Sequence, residues 1–161
     1  MNAIADSAVE AMDFLVAAVD QIPSESWDQP SNLDGWSIRE LVVHTTGTAA
    51  KLVTLAETDT SEATDDLHQL AARLRDAVAK KDPEPALNFP IVGLTIHAWD
   101  VYQSQHRPAE VPDDLLAFCR QVLDAVPEDE LRRPGQFGPA KPAPDDATPT
   151  ARFMAYVGRS A

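Results

Sequence analysis

Apolar residues recur at helical spacing in every long segment of this chain, and no segment reads as a strand. The most informative segment is GWSIRELVVHTTGTAA, Gly35 to Ala50. Ser37 can serve as an N-cap, and Glu40, three residues on, can return a bond to the cap's own amide. Beyond this capping box, Ile38, Leu41, Val42, Thr45, Ala49, Leu52 and Val53 form one stripe, so a helix is expected from Ile38 to about Ala56. His44 lies with Leu41 and Thr48 on the edge of that stripe, which directs its imidazole along or into an inter-helix seam. There it would be a filler, a hydrogen-bonding core group or a metal ligand.

The other segments follow the same logic. Ile4 to Gln21 carries Ile4, Ala8, Ala11, Met12, Leu15, Val16 and Val19 on one face, and Pro23 ends it. The linker WDQPSNLDGW should fold Trp27, Leu33 and Trp36 onto the bundle end and set the entry angle of the next helix. A third helix is expected from a cap at Thr60 or Ser61 to about Lys80, through Leu67, Leu70, Ala71, Leu74 and Val78. His68 falls one residue off that stripe and is read as solvated. KKDPEP is a break.

NFPIVGLTIHAWDVYQSQ, about Asn88 to Gln105, is the second informative stretch. Pro90 suits a first turn, and Ile91, Leu94, Thr95, Ala98, Val101 and Tyr102 supply the stripe. His97 shares a side with Gly93, Leu94 and Val101, and Asp100 is one turn beyond. His106 ends the helix, where a cation suits the dipole. A fifth helix is expected from about Pro112 to Val126. A Pro/Gly-rich tail then runs as loop, with a short helix after Thr148 and Pro149 docking Phe153, Met154 and Val157. The expectation is one all-α domain over residues 1–161: a four-helix bundle with an additional helix and a C-terminal tail.

The net charge is −13 with no Lys/Arg cluster, which argues against nucleic acid or an anionic membrane as partner. Cys119 is the one cysteine, so no intramolecular disulfide forms. It falls among Leu115, Phe118, Val122 and Val126, as a buried structural thiol does. No apolar run approaches the roughly 20 residues of a membrane span. The N-terminus lacks the basic and apolar regions of a signal peptide, so the cytoplasm is expected. Gly-rich phosphate loops, HExxH, CxxC and GxSxG are absent from the sequence.

A divalent metal in a bundle takes ligands from facing helices, and His44 and His97 can meet in that way. A catalytic zinc site usually has three protein ligands. Yet one turn before His97 stands Gly93, which cannot ligate, and one turn after it stands Val101. Asp100 is the nearest oxygen donor: it would ligate, hold the His97 ring, or face solvent. Glu40, one turn before His44, is accounted for by its capping role.

Three stretches, WDQPSNLDGWSIRELVVHTTG, TIHAWDVYQ and PGQFGPAKPAPDDATPTARFMAYVGR, together resemble actinobacterial members of the DinB-like superfamily. Within it the chain is similar to the group related to mycothiol-dependent maleylpyruvate isomerase. The resemblance implies a four-helix bundle with a divalent metal, often zinc or nickel, at one end of the core. It also implies mycothiol, or a similar small thiol, in isomerase or transferase reactions. By resemblance, His44 and His97 match two of the family's metal ligands. The third is a Glu or His at the position that is Gly93 here.

Two functions follow. One is a metal-dependent thiol isomerase or transferase, a monomer or homodimer acting on a small thiol and an electrophile, with a cavity near both histidines. The other is a non-catalytic bundle that kept the fold, lost a complete site at Gly93, and acts as a binding or interaction module.

Overall fold

A computed structural model of the chain describes residues 2–59, 62–134 and 137–160. Seven α-helices and no β-strand form among these residues. The chain divides into two compact units, Met1–Ala109 and Glu110–Ala161.

The first unit holds α1 (Ala3–Asp20), α2 (Ile38–Ala56), α3 (Leu67–Lys80) and α4 (Asn88–Ser104). Both α1 and α2 pack on α3 and on α4, while α1 and α2 barely touch. The four helices are therefore a bundle in which α1 stands diagonally across from α2. Met12, Leu15, Leu41, Leu52, Leu74, Ile91 and Leu94 fill its centre with almost no exposure. Burying each such side chain contributes about 1.5–3 kcal/mol. Helix α4 buries residues on every side, Val92, Ile96 and Trp99 as well as the expected stripe, as a helix apolar all round must.

Local chemistry sets each helix start. Asn2 caps α1 by accepting from the Ile4 and Ala5 amides. Ser37 Oγ accepts from the Glu40 amide at 3.1 Å. The Glu40 carboxylate meets the Ser37 hydroxyl at 3.2 Å, where the capping box would send it to the Ser37 amide. The Ile38 and Arg39 amides, orphaned at a helix start, are taken by the carbonyls of Gln29 (2.9 Å) and Trp27 (2.8 Å). That pair of bonds fastens the entry loop to α2.

The third helix differs from the expectation. It starts at Leu67 with Asp66 as its cap, accepting from the His68 and Gln69 amides. Asp66 immediately precedes the first residue of the apolar stripe and offers two carboxylate oxygens to the free amides, so it outcompetes the earlier caps. Thr60 and Ser61 lie outside the described residues. Arg73 then ties the α2–α3 connection, donating to both Glu57 carboxylate oxygens at 3.0 and 2.6 Å and to the Glu62 carbonyl at 2.9 Å. His68 is exposed and pairs with Asp20 at 3.0 Å.

In the second unit, α5 (Asp113–Asp124) packs on α7 (Pro149–Tyr156), and α6 (Glu128–Leu131) is a single turn that the sequence pattern did not signal. Cys119 is buried with Leu115 and Leu123 on α5. Thr148 caps α7, and Phe153, Met154 and Val157 are buried as expected. The Tyr156 ring is flanked by the guanidinium groups of Arg120 (4.1 Å) and Arg132 (4.8 Å).

Two helix ends use left-handed backbone. His106 has φ 56° and closes α4 as the Arg107 amide reaches back to the Tyr102 carbonyl at 3.2 Å. Gly158 has φ +93°, and a Cβ there would stand 3.3 Å from the Pro139 carbonyl oxygen. The two positions should respond with opposite signs. His106→Gly should stabilise the protein by up to about 1 kcal/mol, and Gly158→Ala should destabilise it by about 1–2 kcal/mol, both read from urea unfolding midpoints.

Candidate functional site

The site grows from one buried carboxylate. Asp100 lies on α4 with no solvent exposure, and such a charge must be met by donors. Asn32 Nδ2 donates to its Oδ1 at 2.8 Å, and His97 Nδ1 lies 3.2 Å from its Oδ2. An ionised carboxylate only accepts, so Nδ1 carries the proton and the Nε2 lone pair of His97 is left for another partner. Ser104, one turn after Asp100, donates to the Asp100 carbonyl at 2.8 Å and accepts the Asn32 amide at 3.0 Å. The entry loop is thereby bound to α4 through side chain and backbone alike.

His44, on α2, sits with its ring centroid 4.9 Å from that of His97, the two rings nearly perpendicular at 87°. Trp36 approaches His44 from the loop, edge to face, at 5.0 Å. The expected seam is thus a shallow one: His44 is largely exposed, although Trp36 and His97 cover part of its ring. Loss of water at the ring, and secondarily the neighbouring His97, hold the His44 pKa below its ordinary 6.5. Neutral imidazole is the form that ligates metals or accepts protons.

Of the three roles open to Asp100, the structure shows the one that holds the His97 ring. Glu40 is occupied at the start of α2. Gly93 stands one turn before His97, and a Cβ built there would meet nothing within 4 Å, so the position is open space. Among the described residues, no three His, Cys, Asp or Glu side chains converge as a metal cluster. The donor set therefore fits half of a metal site: two imidazoles, one of them oriented by a carboxylate, with room beside them.

The entry loop also carries an open surface depression of about 340 Å³, lined by residues that include Asp28, Ser31, Asp34 and Trp36. Two participants escaped the sequence reading. Asn32 carried no signal, since its partner lies 68 residues away. Trp36, read as structural, brings its ring against His44.

A helical bundle in which two helices bring together a histidine pair, one of the two held by a buried carboxylate, is the class of protein these features define. The chain belongs to the mycothiol maleylpyruvate isomerase N-terminal domain family, whose model matches residues 8–158. This agrees with the resemblance read from the sequence. Neither a curated protein nor a solved structure matches the chain. No described helix is long and apolar enough to cross a membrane.

Two outcomes follow from the geometry. Asn32→Ala should remove one donor from the buried Asp100 and lower stability by about 1–3 kcal/mol in urea unfolding. For His44, the folded pKa lies below the unfolded value, so both states are neutral above pH 6.5 and the residue is then indifferent. As pH falls below 6.5 the unfolded chain takes up the proton first, and stability is lost until the folded pKa is passed. His44→Gln should flatten that acidic limb, measured as unfolding free energy between pH 7 and pH 5.

Proposed function

We propose that the chain handles a small thiol of the mycothiol type at a divalent metal on His44 and His97, in isomerase or transferase chemistry. The observation that carries this reading is the convergence of the two imidazoles from α2 and α4, with His97 oriented by a buried carboxylate. Family membership supports the thiol.

The residues divide the work. His97 would offer Nε2, because Asp100 occupies Nδ1 and fixes the ring. His44 would offer a second neutral nitrogen, kept neutral by its partial desolvation and by His97. A bound zinc or nickel ion supplies Lewis acidity, which favours the thiolate form of a thiol at neutral pH. Trp36 walls one side of His44, and the opening at Gly93 leaves space for a ligand beside His97. The acidic surface disfavours anionic macromolecules as partners. We place this activity in the cytoplasm, on a monomer or homodimer.

One specific observation favours a second reading. Two nitrogens and an open Gly93 position are fewer protein donors than a catalytic zinc site usually has. On that reading the bundle is a binding module without catalysis.

Metal content of untagged protein after zinc or nickel loading and desalting separates the two. Near-stoichiometric metal is expected in the wild type and its loss in His44→Ala and His97→Ala; a metal-free wild type overturns the proposal. Asp100→Asn should weaken metal affinity by about 10–100-fold, since the ring loses its orienting carboxylate. Gly93→Glu should raise affinity by at least about tenfold, because the added side chain enters open space beside His97. Competition with a chromogenic chelator reads both changes.

A further inference from the structure

We infer that Trp36 is the positioning residue of His44, holding the plane of its imidazole as Asp100 holds that of His97. For its consequence the inference rests on the reading of the two histidines as metal ligands. The His97 ring has a hydrogen-bond partner, the buried Asp100 at 3.2 Å. The His44 ring has none among the described residues. The one side chain that bonds this residue, Thr48 through its Oγ1 at 3.4 Å, reaches the backbone carbonyl and leaves the ring unheld. Glu40, one turn before His44, is turned to the Ser37 cap. An exposed imidazole with no partner samples several rotamers, and a ligand that needs one of them loses affinity to the ordering.

What limits the His44 ring is other rings. Trp36 stands 5.0 Å away between centroids, with 65° between the planes, and His97 stands 4.9 Å away at 87°. Both distances are those at which aromatic rings attract, and both angles are close to the edge-to-face arrangement that their charge distributions favour. Two tilted neighbours restrict the plane between them, because turning His44 about its side-chain bonds gives up both contacts. His97 is itself a member of the pair to be aligned. Trp36 is therefore the contact that reaches His44 from outside the pair.

A ring can position another only if its own backbone is held, and that of Trp36 is held on both sides. Leu33, Asp34, Gly35 and Trp36 form a turn, closed by the Trp36 amide donating to the Leu33 carbonyl at 3.2 Å. Gly35, third in that turn, takes φ +83°, which glycine adopts without the strain a side chain would add. The Ser31 amide donates to the Trp36 carbonyl at 2.8 Å, and Ser37 follows at once as the cap of α2. Asn32 joins the same loop to α4. On a backbone so fastened, a tryptophan has few torsions left to order and presents a fixed wall.

The test reads ring order and metal affinity in the full chain. In metal-free protein, carbon-13 relaxation of the histidine ring C–H groups should show His44 nearly as ordered as His97. Trp36→Ala should loosen the His44 ring and leave the His97 ring as ordered as before, and Trp36→Phe should restore His44. Trp36→Leu, which keeps apolar bulk without an aromatic face, should behave as Trp36→Ala does and replaces it if the alanine variant fails to fold. Zinc affinity, read by competition with a chromogenic chelator, should fall about five- to tenfold in Trp36→Ala, within the worth of an aromatic pair, and stay within about twofold of wild type in Trp36→Phe. A His44 ring equally ordered without Trp36, or an unchanged zinc affinity, overturns the assignment. So does a loss of order at His97 as well, since the loop would then support the whole site and not the one ring. A wild type that binds no zinc overturns the metal reading instead, and the ring order of the metal-free protein still decides the role of Trp36.

Discussion

Asp100 is a carboxylate with no exposure, and much of the site's order traces to how its charge is satisfied. Left bare, a buried carboxylate would destabilise the fold by several kcal/mol or take up a proton. Here its donors come from two directions: Asn32 from the entry loop and His97 from its own helix. The same two contacts fix the loop against α4 and fix the proton of the imidazole. Ser104 doubles the attachment by joining the Asn32 amide to the α4 backbone. The loop attachment and the placing of the His97 ring thus meet at one residue.

The fold was legible because helix signals are local. The period of the apolar residues, the Ser37 cap, Pro90 in a first turn and the Thr148–Pro149 start are all decided within a few residues, and α2 runs over the expected Ile38–Ala56. The start of α3 was misplaced for an equally local reason, since several capping residues precede Leu67 and the one nearest the stripe won. The site was legible only in part. His44 and His97 stood out by their positions in two helices, and their meeting is a matter of helix packing. Asn32 was invisible: nothing in SNLDG marks an asparagine that reaches a carboxylate across 68 residues. Asp100 was visible as a residue, but its role depended on burial, which spacing alone leaves open.

Family membership moves the fold further than it moves the chemistry, because function belongs to the site. The position to which the resemblance assigns a third ligand is Gly93 here. Glycine in mid-helix costs roughly 0.5–1 kcal/mol relative to alanine, and no neighbouring atom here would clash with a Cβ. Packing therefore gives no reason for a glycine at this position. What it does leave is open space one turn before His97.

The entry loop brings these points together. Its carbonyls take the first amides of α2, its asparagine holds Asp100, and its tryptophan walls His44. A loop needed only to start a helix would require the first of these alone. The other two put a donor on the buried Asp100 and an aromatic ring beside His44, and neither is needed to cap α2. Attachment to α4 then has a second consequence, since the loop that carries Trp36 to His44 is fastened by the same asparagine that satisfies Asp100.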